Sequence, residues 1–355
     1  MAERINHYLC PSKTSHNNQR NKMNRQQSAV IKGMAILMLI LYHFPRVLGP
    51  EAYSPQIQAF ICNAFHPFLY FFMITGYGLF TAYRNGRLTW TYLFKRTLRL
   101  YITFWLVLLL FAVCLGSWMF PERFPMDPLT VLGNFVGWRW DYSQYTWFLL
   151  PYFLITLASP WIFKCMDKIG NVLSIVVSFV ISMGMTWLIG KFYESFFCHH
   201  IVIYLVVLAL QMLMGIVAGA VLARYYLSGH ELTWSKLRGK NALVWLLLVV
   251  AFLLKGQPII NMIPYLSVLI LWLILHLEPT WFGKYILTPV GDKGMVMWLS
   301  HGFLGVRLFN DFFMQFNWIP LIWLVWVLAC FGVACLIMPV SDWISQALKL
   351  KKSKS

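Results

Sequence analysis

Lys32-Gly-Met-Ala-Ile-Leu-Met-Leu-Ile-Leu-Tyr-His43 is an apolar run that opens on a cation and closes on an imidazole. Read as a helix, it turns about 100° and rises about 1.5 Å per residue. Eleven steps return to within about 20° of the starting direction, so Lys32 and His43 share one face, roughly 16 Å apart along the axis. Ionisable groups inside a membrane span face a protein interior or an aqueous cavity and are functional candidates by default. Lys32 has two readings: a side chain that snorkels to the interface, or part of a site. His43 lies within the run and has no adjacent carboxylate.

The rest of the chain has the same character. Of its 355 residues, 59% are hydrophobic and 12% charged, with a mean hydropathy of +0.64. A soluble domain carries about 45–50% apolar and about 25% charged residues. A span needs about 20 apolar residues. Apolar runs between charge clusters fall at about 29–48, 58–83, 98–119, 144–163, 171–190, 200–223, 241–255, 258–277, 293–311 and 319–346. They predict an all-α integral membrane protein of about ten transmembrane helices. The seventh run is short, and Lys255 and Pro258 at its end predict a tight hairpin into the eighth.

The net charge of +17 suggests nucleic acid only until the cations are placed. Alternate loops, counted with both termini, hold 23 of the 29 Lys and Arg residues, and the other set holds 6. This is the positive-inside asymmetry, and it places both termini in the cytoplasm. The charge is spread along one membrane face, which excludes nucleic acid as a partner and makes the lipid bilayer the first one. Residues 1–28 read as a flexible basic cytoplasmic arm, 29–346 as a single ten-helix membrane domain, and 347–355 as a basic cytoplasmic tail. The arm has no short apolar core followed by a small-residue cleavage site, so it does not read as a signal peptide. The seven cysteines are scattered without metal-ligand spacing, so neither a metal site nor a disulfide framework is expected.

Further positions stand out along the chain. The outer loop 120–143 carries Trp138, Arg139, Trp140 and Asp141, whose rings suit an interfacial belt or a platform for a sugar. In Phe71-Phe-Met-Ile-Thr-Gly-Tyr-Gly78 the glycines allow close helix approach. Arg96 and Arg99, three apart at the entry to the third span, share a face, and each can offer a bidentate fork to a phosphate. Topology explains that charge but not its spacing. Pro151 is expected to kink the fourth span. In Met297-Trp-Leu-Ser-His301-Gly, a helix starting near Asp292 puts His301 about 13 Å in, at a depth comparable with His43. His66 and His276 read as lying near interfaces, and His199 and His200 as interfacial.

Together these segments resemble the integral-membrane acyltransferases of family 3, which O-acylate polysaccharides and other glycans. Lys32-Gly-x-Ala…Tyr-His43 resembles the family's first-helix motif, a basic residue followed by a histidine. Phe71-Phe-Met-Ile-Thr-Gly-Tyr resembles its second-helix stretch, with Thr75 in place of the usual serine. Arg96-x-x-Arg99, Trp147-Phe-Leu and Met297-Trp-Leu-Ser-His301 resemble its later signatures, and the likeness runs from about residue 28 to 345. Lys32 stands where the family usually has arginine, which keeps the charge and loses the fork.

The resemblance implies a cytoplasmic acyl-CoA donor, typically acetyl-CoA, and a glycan or glycolipid acceptor at the cell membrane, a bacterial inner membrane. Lys32, Arg96 and Arg99 then form a cationic rim for the donor, whose pantetheine arm runs along the first helix to His43. Histidine, with an unperturbed pKa of about 6.5, suits the base that takes the acceptor's hydroxyl proton, with His301 as a second catalytic candidate. A transporter or flippase for a lipid-linked saccharide or small anion is the alternative from another class, because buried cations and histidines also line transport paths. A member of the same family acting on a small metabolite or antibiotic precursor is a third reading.

Overall fold

The computed structural model describes residues 23–49, 51–124, 126–228, 241–257, 263–276 and 280–350. Most of the expected N-terminal arm, the last five residues of the tail, most of the 224–240 loop and residues 258–262 of the expected eighth span lie outside them. The described residues are helical, with no strand among them. The principal helices are α1 (Arg25–Leu48), α2 (Pro55–Ala64), α3 (Phe68–Arg84), α4 (Trp90–Leu108), α5 (Pro128–Val136), α6 (Leu149–Ile169), α7 (Asn171–Phe192), α8 (Ile201–Gln211), α9 (Leu213–Leu227), α10 (Asn241–Gly256), α11 (Ile263–His276), α12 (Thr288–Gly302) and α13 (Ile319–Ala347).

Among the described residues, seven segments are long and apolar enough to cross a membrane: Arg25–Leu48, Pro55–Arg84, Trp90–Met119, Gln144–Ile169, Asn171–Phe192, Ile201–Leu227 and Ile319–Ala347. The other three expected spans fall short for identifiable reasons. Helix α10 has 16 residues and α11 has 14, or roughly 21–24 Å against a hydrocarbon core of about 30 Å. Helix α12 has 15 residues and carries Asp292 and Lys293 in its first half.

Local sequence sets the helix ends. Asn24 Oδ1 accepts from the Gln27 amide at 2.7 Å while Gln27 Oε1 accepts from the Asn24 amide at 2.9 Å, a reciprocal cap that starts α1 at Arg25. The second span, expected to be continuous, breaks between Ala64 and Phe68. Pro67 lacks an N–H and biases His66 away from helical geometry, so the break falls there. The fourth helix begins at Leu149, which puts Pro151 in the first turn, where a missing N–H costs little. The proline inside that helix is Pro160, not Pro151.

Small residues hold the core helices together. Along the seam between α1 and α12, a Cβ at Gly33 would overlap the Leu287 carbonyl, and one at Gly291 would overlap the Ala29 carbonyl. Further along, a Cβ at Gly294 would meet Ile36 Cγ1 at 2.8 Å. Gly291 also lies against the Gly33 amide, and beyond Gly294 the two helices meet again at His43 and His301, so α1 and α12 run parallel with backbones in contact, the small-residue packing that membrane helices favour. Gly76 meets the Ile216 backbone and Gly219 the Met73 backbone, which seats α9 on α3 in the same way.

Loops assigned to one membrane face do gather at one end of the bundle. Asp167 takes Arg224 Nη2 at 2.5 Å and lies 4.0 Å from Arg84, and Lys95 Nζ donates to the Lys349 carbonyl at 3.1 Å. At the opposite end Asn310 donates to the Val47 carbonyl at 2.9 Å. Lys255 departs from its expected place as a loop cation. It is 1% exposed, its Nζ donates to the His66 carbonyl at 2.9 Å, and it lies 5.1 Å from the centre of the Tyr70 ring. The break at Pro67 frees that carbonyl, and the buried ammonium satisfies it.

Candidate functional site

The parallel seam of α1 and α12 carries polar groups at both ends. At the end where both helices start, Lys32 is exposed and interacts electrostatically with Arg96, Asp292 and Tyr152. Arg96 donates to Tyr152 Oη from Nε at 3.3 Å and from Nη2 at 3.1 Å. That phenol also interacts with the Thr75 hydroxyl. The hydroxyl at position 75, which takes the place of the resemblance's serine, therefore helps to fix the arginine's partner. Arg99 is half-buried and its Nε has no partner. Lys32 and Arg96 of the expected cationic rim thus interact, and Arg99 follows Arg96 by about one turn on α4.

At the far end of the seam His43 and His301 meet. Their rings stack with centroids 5.1 Å apart and planes 22° from parallel. His301 is fully buried, and its Nδ1 contacts the carbonyl of Trp298 one turn earlier. That contact makes Nδ1 the protonated nitrogen and leaves the lone pair on Nε2, which is buried with no partner. Tyr145 closes the group, with its ring centre 4.5 Å from that of His43 and 4.7 Å from that of His301. Its hydroxyl is also buried and without a partner. Tyr145 can come so close because residue 302 is glycine, and a Cβ there would overlap the tyrosine ring.

A cavity of about 370 Å³ opens onto this group. His43, Tyr42, Arg46 and His66 line it, with Trp140, Trp147, Tyr193 and Tyr204 as aromatic walls and Gln144 and Gln211 as amides. His301 is not in the lining and lies behind His43. Trp298 forms part of the wall, packed on Phe148 at 4.0 Å and on Phe71 at 4.4 Å between ring centres. It sits between Asp292 and His301 on α12, so this aromatic stack lies between the Lys32–Arg96 end and the histidine pair.

The outer loop holds Trp140 in place. Asp141 takes Arg139 Nε at 2.9 Å and Nη2 at 3.1 Å, and Asn134 links that carboxylate at 3.1 Å to the Tyr142 amide at 3.1 Å. Burial pulls the Asp141 carboxyl up, but the hydrogen bonds and charge of Arg139 outweigh it and hold the group below the usual carboxylate range. Of the two readings for the loop aromatics, Trp140 therefore walls a cavity.

The match to a family model extends over residues 28–342 and is to an acyltransferase domain. The chain belongs to acyltransferase family 3. This is a family of membrane O-acyltransferases, and the match takes in both ends of the α1–α12 seam. No curated protein and no solved structure matches the chain. This family 3 acyltransferase is thus a multi-pass membrane protein, helical in its described residues, whose histidine pair and cavity are assembled from its first, second, fourth, fifth, sixth and ninth expected spans and the loops beside them. Among its described residues, no group of three or more His, Cys, Asp or Glu side chains is placed to hold a metal ion.

Four residues at the two ends of the seam and in the cavity lining escaped the sequence reading. Tyr145 and Tyr152 are two of 17 tyrosines, and nothing in their neighbourhood sets them apart. His66 read as interfacial because the second span read as unbroken, and Arg46 read only as a loop cation. His276 belongs to α11, with its side chain outside the described residues, and His200 stacks on Phe196 at 4.2 Å, away from the cavity lining.

Proposed function

We propose that this acyltransferase moves an acyl group, acetyl in the simplest case, from cytoplasmic acyl-CoA to a hydroxyl of a cell-envelope polysaccharide, oligosaccharide or glycolipid, with His43 as general base. The observation that carries the reading is the stacked His43–His301 pair with one ring on the cavity wall and the other sealed behind it. A hydroxyl entering the cavity reaches His43 first. The walls suit a sugar, since four aromatic rings offer apolar faces and two glutamines offer paired donors and acceptors.

In the step itself His43 takes the proton from the acceptor hydroxyl as the oxygen attacks the thioester carbonyl. The ester C–O bond forms, the C–S bond breaks, and the imidazolium returns its proton to the departing CoA thiolate. His301, with Nδ1–H held by the Trp298 carbonyl, supports the His43 ring from behind and acts on the acceptor through it. Lys32 and Arg96 hold the donor's phosphates at the other end of the seam, with Arg99 as a further cation near the same helix entry. The bilayer is the site of action, both termini lie in the cytoplasm, and a bacterial inner membrane fits the positive-inside pattern.

The test is acetyl-CoA binding by detergent-purified protein, followed by acceptor-dependent release of free CoA. Envelope glycans from cells with and without the gene should differ by an ester-linked acyl group. Saccharide transport with no CoA release would replace this reading with a transporter.

A further inference from the structure

Arg46 stands three residues after His43 in the last turn of α1, on the same helix face. It lines the histidine cavity and is exposed to it, with its guanidinium carbon 5.8 Å from the centre of the Tyr145 ring. Every residue lining that cavity is described, and Arg46 is the permanent charge among them; there is no Asp or Glu. Among the described residues no carboxylate lies within ion-pair distance of Arg46. The acid nearest in sequence to the Trp140 wall is Asp141, and Arg139 already neutralises it. Arg307, which donates to the Asp141 carbonyl at 3.4 Å, adds a second positive charge beyond the lining.

A lipid-anchoring arginine needs no cavity, and a packing arginine would be paired. This one presents a free guanidinium fork to a partly enclosed space whose other walls are aromatic rings and amides. Low-dielectric walls with one sign of charge concentrate the opposite sign in a cleft. A guanidinium is also the side chain best shaped to take two oxygens of one anion.

We infer that the acceptor bound in this cavity is an anionic sugar, whose carboxylate or phosphate is held by Arg46 while its ring lies against the aromatic walls. This rests on the acyltransferase reading above for the word acceptor, but the binding chemistry stands apart from it. The charge would set register: with the anion on Arg46, one turn of α1 separates it from His43, which brings a ring hydroxyl of the same sugar to the base.

The experiment uses the full chain in neutral detergent and three probes: methyl β-D-glucoside, methyl β-D-glucuronide and methyl β-D-glucoside 6-phosphate. Binding is followed by quenching of tryptophan fluorescence, since Trp140, Trp147 and Trp298 line the cavity. At least one anionic probe should bind about tenfold to a hundredfold tighter than the glucoside, the range expected for a charged hydrogen bond. Comparing the glucuronide with the phosphate tells a carboxylate site from a phosphate site. Added salt should erode the preference, Arg46→Gln should abolish it, and Arg46→Lys should restore part of it. Equal binding of all three probes, no binding by either anion, or a preference that survives Arg46→Gln in folded protein overturns the inference. CoA release from acetyl-CoA, measured in the same preparation, separates the two failures. An intact anion preference without acyl transfer removes the enzymatic reading alone, and transfer without an anion preference removes this one alone.

Discussion

His43 and His301 stack with ring centres 5.1 Å apart, although each hangs from a different helix and one is buried while the other lines a cavity. The contact is set by the seam beneath it. Gly33, Gly291 and Gly294 let the two backbones touch, so the helices keep register over the whole distance from Lys32 to His43. Tyr145 then wedges its ring against both imidazoles through the space left by Gly302. The pair is therefore packed against helix and ring on one side and open to the cavity on the other.

The cationic end is expected to bind donor without taking part in chemistry. Arg96→Ala should raise the KM for acetyl-CoA, by roughly 1.5–3 kcal/mol for a lost charged hydrogen bond, and leave kcat nearly unchanged. Tyr152→Phe removes the phenol that fixes the Arg96 fork and should give a smaller rise of the same kind. Lys32→Arg should be better tolerated than Lys32→Ala, because it keeps the charge at that helix position. Steady-state kinetics against acetyl-CoA decides the point, and unchanged KM in Arg96→Ala would make these charges topological only.

The glycine contacts give two graded packing tests. Gly291→Val drives a branched side chain into the Ala29 carbonyl and should lower the thermal midpoint in detergent, with an overpacking cost of about 1–3 kcal/mol. Gly302→Ala displaces the Tyr145 ring instead of a backbone, so it should leave stability closer to wild type and lower turnover. Thermal unfolding beside CoA-release rates distinguishes the two. If both variants lose stability and activity in the same proportion, Tyr145 is simply packing.

Trp298, stacked on Phe71 and Phe148, stands between the Lys32–Arg96 end and the histidine pair. Trp298→Ala should loosen that layer and let water reach the thioester. Acetyl-CoA hydrolysis in the absence of acceptor is expected to rise severalfold while acceptor-dependent transfer falls. No change in the ratio of hydrolysis to transfer would mean that the donor arm takes another route.

Membrane sidedness follows from the placement of the cations. Reporter fusions at Leu350 and at Glu122 should report opposite sides of the membrane, with Leu350 in the cytoplasm. Both on one side would contradict the topology.

What could be read from the sequence divides along physical lines. The helical membrane class, the Lys32–His43 face and the common depth of His43 and His301 come from period and composition, which are local properties. Tyr145 and Tyr152 come from tertiary contacts alone, and a tyrosine that touches two imidazoles looks in sequence like any other. The break at His66 followed from Pro67, a local signal outweighed by the apolar run around it. Lys255 read as a loop cation because nothing nearby could neutralise it; its partner is the His66 carbonyl, freed by that break and far away in the chain. The kink went to Pro151 and not Pro160 because it depended on a helix start that lies five residues later than the apolar run suggested.

The most direct test is acetyl transfer to acceptor by purified His43→Gln beside His301→Gln and wild type, each shown by size-exclusion chromatography to be folded. A general base contributes about 10²–10⁴-fold to rate, so His43→Gln should lose most of its turnover while binding acetyl-CoA with wild-type affinity. His301→Gln should be impaired less, with the loss weighted towards the KM of the acceptor. Near-normal turnover in His43→Gln, with a collapse in His301→Gln, would contradict the assignment and make His301 the base.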